Sequence, residues 1–199
     1  MISDDASNDD PTALVTAMIA NWRITHPETL LSVTRINNSV AVGTTANFAG
    51  AIAATRGDLV ALCDQDDVWP VERLERMIAV FDSTPQLLLL HTDADLINAS
   101  GRPTGQSLFG SLGVDRATKQ VVHSGHAYES LMKGNIETGA TTVFRRDLAN
   151  APLPFPPAWV HDEWPAIIAA ALEVVDEKLL EFRQHGQIRL VSRGCLSLV

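Results

Sequence analysis

Cysteine is almost missing from this chain: two in 199 residues, Cys63 and Cys195. Two are too few for a disulfide framework, and Cys63 falls in a run that reads as a buried strand, so a reducing, cytoplasmic setting is expected. No apolar run approaches the roughly 20 residues of a membrane-spanning helix, and no secretory signal opens the chain. Basic residues are in deficit, 15 Lys and Arg against 24 Asp and Glu for a net charge of −9. That balance argues against a nucleic-acid backbone or an anionic bilayer as the main partner. Internal repeats and low-complexity segments are lacking too. What remains is ordinary for a globular protein, with 46% apolar and 20% charged residues. The length predicts one domain over residues 1–199.

Against that background one stretch stands out. The apolar run Leu59-Val60-Ala61-Leu62 passes through Cys63 into Asp64-Gln65-Asp66-Asp67, and Pro70 opens the next helix. Like charges so close together repel, and a bound cation is one remedy. A solvated acidic turn with a helix N-cap is the bland alternative. Its place at the carboxyl end of a strand, where open α/β sheets hold ligands, favours the functional reading. In extended backbone an Asp-x-Asp step turns Asp64 and Asp66 to one side, so both can share a hard cation such as Mg2+ or Mn2+. Such ions take their remaining ligands from water and substrate phosphate. An aspartyl phosphatase also begins Asp-x-Asp after a strand, but needs a small hydroxyl residue where this chain has Val68 and Trp69.

In chain order, Asp10 and Pro11 read as the N-cap and first position of a helix. Its Leu14, Val15, Met18, Ile19 and Trp22 share a face, and His26-Pro27 ends it. Leu30 to Ile36 reads as a strand turning at Asn37-Asn38-Ser39, and Gly43-Thr44-Thr45 leads into a helix carrying Phe48 and Ile52. From Pro70, Leu74, Met77, Ile78 and Phe81 form a helical stripe. Leu87 to Thr92 reads as a buried strand, with His91, Asp93 and Asp95 at its exposed polar end. Ser107 to Gln120 reads as loop or short helices and His126 to Lys133 as a helix. Thr141 to Phe144 follows as a strand, Ile167 to Leu172 as a helix and Lys178 to Arg183 as the last strand. This alternation predicts an α/β fold with a largely parallel sheet flanked by helices.

A second constellation is His161-Asp162-Glu163-Trp164, after a proline-rich connection. Asp162 is either a helix N-cap or, with Glu163, a general base for a hydroxyl nucleophile. Gly134-Asn135 and Thr138-Gly139-Ala140 form a small-residue loop that lets a substrate approach the backbone, or an ordinary turn. Arg145-Arg146 and Arg183-Gln184-His185-Gly186 either meet phosphate or metal or simply end strands.

Taken together in order and spacing, these segments resemble the family-two glycosyltransferases of the GT-A fold, closest to the bacterial rhamnosyltransferase-like branch. The residues that carry the resemblance include Ser3-Asp4-Asp5-Ala6-Ser7, Asn47-Phe48-Ala49, Cys63 to Trp69, His91 to Ala94, Thr138-Gly139-Ala140, His161 to Trp164 and Phe182 to Gly186. The resemblance implies a nucleotide-sugar donor, dTDP- or UDP-linked, over residues 1–100 and a glycan or lipid-linked acceptor over residues 101–199. It implies that Asp5, with Asp4 beside it, meets the nucleotide base. Asn47, Asp64, Gln65, Gly139 and Arg183 line the donor, and Asp64, Asp66 and His185 bind Mn2+ or Mg2+. Asp162 becomes the base for inverting displacement. The family's opening strand and helix precede the equivalent of Ser3, and its helices continue past His185-Gly186. The chain is therefore expected to be shortened at both ends, and a remnant that binds nucleotide without turnover is the competing expectation. A magnesium phosphohydrolase is a third. The location implied is cytoplasmic, with possible peripheral contact at the inner face of the plasma membrane.

Overall fold

The computed structural model describes residues 1–8, 11–28, 30–131, 136, 138–150, 169 and 172–185. Their contacts divide into two compact units, Met1–Thr55 and Arg56–Val199.

In the first unit, β1 (Ile2–Asp4) pairs in parallel with β2 (Arg35–Asn37), and α1 (Thr12–Thr25) makes the crossover. Helix α2 (Thr44–Ala54) follows from Gly43 as expected. The strand expected from Leu30 shrinks to three residues, because β1 offers partners only from Ile2 to Asp4. A strand persists only where a neighbour satisfies its backbone. The apolar face of α1 is partly covered: Val15, Ile19 and Trp22 are half-buried, while Leu14 and Met18 are 65% and 62% exposed.

The second unit holds a five-stranded sheet. Its strands are β3 (Leu59–Ala61), β4 (Leu89–Asn98), β5 (Pro103–Ser107), β6 (Thr142–Arg145) and β7 (Leu172–Gln184). Strand β6 lies antiparallel between β3 and β4, β5 is antiparallel to β4, and β7 runs parallel along β4. The α/β class holds, but the sheet is mixed rather than largely parallel: β6 reverses the direction in the middle, which its four residues do not announce.

Three further expectations are corrected here. Strand β4 continues through Asp93 and Asp95 instead of ending before them, and His91 and Asp93 are buried. The Asp93 carboxylate accepts the Ala94 and Phe109 amides at 2.8 and 2.9 Å, so the strand runs on without an unsatisfied charge. Strand β3 stops at Ala61, which leaves Cys63 exposed. Helix α3 (Arg73–Ser83) starts three residues after Pro70, and its buried row is Arg73, Met77 and Phe81. Leu74 and Ile78, expected on that stripe, are each 44% exposed. Met77 and Phe81 pack with Leu87, Leu90, Val143 and Leu179 in one core, and Leu96, Leu108, Leu180 and Phe182 belong to a second.

Between β5 and β6 come α4 (Leu108–Leu112), α5 (Arg116–Val121), a π-type turn and α6 (Ala127–Leu131), close to the short helices expected. A 3-10 turn, Gly139–Thr141, leads into β6, and α7 (Arg146–Asn150) leaves it. Leu172 belongs to β7 rather than to the expected helix, most of which lies outside the described residues. Arg145 and Arg146 act as staples: Arg145 donates to the Leu87 and Phe81 carbonyls, and Arg146 Nε donates to the Gly57 carbonyl.

Candidate functional site

In the first unit, Asp5 follows β1 and accepts the Val42 amide at 2.8 Å, the Gly43 amide at 2.9 Å and the Asn38 side-chain amide at 3.1 Å. The Val42 amide above all holds its carboxyl below the usual range, against the opposing effect of desolvation, with the Asn38 side chain and the Gly43 amide adding to the fall. Asp5 therefore organises the approach to α2. Asn47 is similarly committed: its Oδ1 accepts from Ser3 Oγ at 2.5 Å and from Asn38 at 3.2 Å, and its amide donates to the Ser3 carbonyl at 3.4 Å. Asp4 ends β1 half-buried, its carbonyl accepting the Asn38 amide at 2.9 Å.

In the second unit, the acidic turn leaves β3 and is caught by the far end of β7. Val68 and Glu181 exchange backbone hydrogen bonds at 3.1 and 2.9 Å. Two residues on, the Arg183 amide donates to Asp67 Oδ1 at 2.8 Å and Arg183 Nε to the Asp66 carbonyl at 2.8 Å. Arg183 Nη1 spans to the Asn98 and Ala99 carbonyls at 3.3 and 3.4 Å, over a turn that Gly101 closes at φ 76°. Two residues further, His185 Nε2 meets Asp66 Oδ2 at 2.5 Å. That pair stays open to solvent, its side chains 42% and 26% exposed.

The structure thus brings together three sequence-predicted residues, Asp66, Arg183 and His185. Asp64 stands half-buried in the same turn and Gln65 is exposed. Among the described residues no three His, Cys, Asp or Glu side chains group as a metal cluster, so Asp64 does not complete a triad with Asp66 and His185. Gly139 opens the buried 3-10 turn before β6. Asp162, with His161, Glu163 and Trp164, and the Gly134-Asn135 pair lie outside the described residues.

Two groups escaped the sequence reading. Burial pushes the Asp67 carboxyl up to about 6, the Arg183 amide partly opposing it and Asp64 and Asp66 adding to it, and its Oδ2 has no partner among the described residues. Beneath the turn lies Arg73, fully buried, its Cζ 4.5 Å from the centroid of the Trp69 ring. The only signal for it was its place one helical step before Met77 and Phe81.

His91 is a separate case. It is fully buried, its Nδ1 is 2.5 Å from Thr141 Oγ1, and burial above all pushes its pKa down to about 3. The neutral ring is native while the unfolded ring takes a proton below its ordinary 6.5. Its contribution is complete above pH 6.5 and falls by about 1.4 kcal/mol per unit as pH drops toward 3. Urea melts from pH 7 to 4 are expected to show this loss in the native chain and a shallower one in His91→Gln. Equal slopes would exclude His91 as its source.

A family profile described as Glycosyl transferase family 2 matches residues 1–148. Among solved structures, the chain is similar to Staphylococcus aureus TarS 1–349 in complex with UDP-GlcNAc, at a TM-score of 0.60 and 16% identity over 94% of this chain and 50% of that one. It is also similar to the mannosyltransferase PcManGT of Pyrobaculum calidifontis in complex with GDP-Man and Mn2+, at a TM-score of 0.57 and 16% identity over 94% of this chain and 48% of that one. These likenesses identify the GT-A fold. Uncharacterized proteins of Mycobacterium tuberculosis and Mycobacterium bovis are 31% identical over 88 residues, 43% of this chain and 23% of theirs. The chain spans less than a quarter of those relatives and about half of the two solved chains.

Proposed function

This chain belongs to glycosyl transferase family 2, and on that premise we propose that it moves a sugar from a nucleotide-sugar donor to an acceptor hydroxyl with inversion, in cell-surface polysaccharide synthesis. The observation that carries the reading is the end of β7 closing on the acidic turn, with His185 on the Asp66 carboxylate and Arg183 on the backbone beside it. A part-exposed carboxylate that meets an imidazole, with further carboxylates in the same turn, suits a hard divalent cation that completes its shell from solvent and diphosphate. Asp66 and His185 would hold Mn2+ or Mg2+, with Asp64 beside them. When bound, the ion supplies Lewis-acid stabilisation to the departing diphosphate.

The chain's own groups do the rest. Arg183 keeps the turn in place, its guanidinium bonded to carbonyls rather than held out toward a phosphate. Asp5 shapes the loop before α2 and Asp4 stands beside it for the nucleotide base. Asp162 takes the proton from the acceptor hydroxyl. Support for the donor class comes from the UDP-GlcNAc of TarS and the GDP-Man of PcManGT, which leave the nucleotide open. No helix among the described residues is long and apolar enough to cross a membrane.

A second reading, nucleotide binding without turnover, draws on the internal commitment of Asp5 and Asn47. Thermal melts with UDP-, GDP- and dTDP-sugars plus manganese test the proposal. One nucleotide class is expected to raise Tm by several degrees, as about 2.7 kcal/mol of stabilisation follows from ligand at a hundred times Kd. No shift with any of them sinks the donor reading. Sugar transfer by the stabilising donor separates enzyme from binder.

A further inference from the structure

A guanidinium keeps its charge wherever it sits, so arginine is seldom fully buried unless its donors are met. Arg73 is 0% exposed. Its Nη1 donates to the Leu179 carbonyl at 2.8 Å, its Nη2 to the Ala140 carbonyl at 2.6 Å, and its Cζ lies 4.5 Å from the centroid of the Trp69 ring, while its Nε has no hydrogen-bond partner among the described residues. Each contact falls on a different segment. Trp69 follows the acidic turn two residues after Asp67. Ala140 sits in the 3-10 turn before β6, and Leu179 lies on β7 four residues before Arg183.

The fork is rigid, so its two carbonyl bonds fix the turn before β6 and the middle of β7 at one spacing, while the contact with the Trp69 ring sets the height of the third segment. Burial lowers the guanidinium to about 10, Cys63 and Asp67 working against that fall, so the charge survives at neutral pH. The clamp cannot be replaced by shape alone: without it two buried carbonyls lose their donors. Trp69 and Leu180 also belong to the core beneath the turn, which gives the clamp a firm base.

We propose that Arg73 is the positioning residue of the site, holding the acidic turn, the Gly139–Thr141 turn and the end of β7 in one register so that Asp66 and His185 stay together. Its consequence for sugar transfer rests on the family reading above; the clamp itself does not.

Hydrogen exchange of the intact chain, with no ligand added, tests it. In Arg73→Met, exchange is expected to rise about tenfold or more in three segments, 64–68, 139–141 and 179–185, while the Met77–Phe81 turn of α3 keeps its protection. Arg73→Lys, which keeps the charge but not the fork or the plane, should fall between. Trp69→Leu should loosen 64–68 alone and leave 139–141 protected, which also serves if Arg73→Met does not fold. A uniform rise across the unit, or equal behaviour of Lys and Met, overturns the proposal. If the native chain transfers sugar, Arg73→Lys should lower kcat and raise the manganese needed for half activity, with donor KM little changed. A fall only in proportion to unfolded protein overturns the positioning role. If the native chain transfers nothing, the proposed transfer activity fails and the exchange pattern still decides the clamp.

Discussion

Asp66→Ala is expected to remove manganese-dependent donor binding and to lower sugar transfer roughly a thousandfold, the scale of several kcal/mol of lost charge stabilisation. The side chain is polar, part-exposed and outside both apolar cores, so Tm should move little. The effect should exceed that of His185→Ala, because the carboxylate brings a full negative charge to a hard cation and the imidazole does not. Titration calorimetry of donor with and without manganese, in native and Asp66→Ala protein, measures the coupling. Unchanged donor heats in the variant would remove Asp66 from the metal and leave His185–Asp66 as a simple surface pair, worth at most about 1 kcal/mol.

The second large effect concerns Asp162, whose role rests on the resemblance to family-two enzymes. Asp162→Asn keeps the shape of the side chain and removes its ability to take a proton. A fall in kcat of about 10²–10⁴ is expected, with donor binding and its manganese dependence retained. Loss of donor binding together with kcat would instead make Asp162 a binding or helix-capping group, the alternative its position also allows. The two variants therefore separate the donor grip from the proton transfer: one should lose calorimetric coupling, the other only turnover.

How far the chain could be read in advance depended on whether a residue's surroundings followed from its neighbours in sequence. The acidic turn was legible because clustered carboxylates after an apolar strand have few acceptable places to go. The segments α2 and β6 were likewise placed near their true bounds, whereas β1 fell in a stretch that reads as loop. Where the reading failed, a long-range partner had decided. Asp93 looked like the end of a strand, yet the Phe109 amide, sixteen residues on, lets β4 run past it buried. Arg73 drew no reading from its neighbours in sequence, yet carbonyls 67 and 106 residues away take it inside. Asp5 and Asn47 were recognisable as polar residues near a nucleotide, but their bonds to Val42, Gly43 and Ser3 show loop bracing. Periodicity placed α1 between Pro11 and His26, but an apolar stripe reports what could be covered rather than how far it is.

One feature of β7 bears on how such a chain can change. Successive side chains of a strand point to opposite faces, so one added or lost residue exchanges the two sets. Strand β7 is locked to β4 from Leu89↔Leu172 to Asn98↔Gln184, and the register already shifts near Asp93. A further one-residue slip after Lys178 would carry Arg183 off the Asp66 carbonyl and His185 off its carboxylate. Descent can thus substitute residues along this strand but cannot alter its count. Strand β5 is held more loosely, meeting β4 at Asp95↔Ser107 and Ile97↔Pro103 with a shift between them, and its exposed residues from Pro103 to Gln106 are where length variation would cost less.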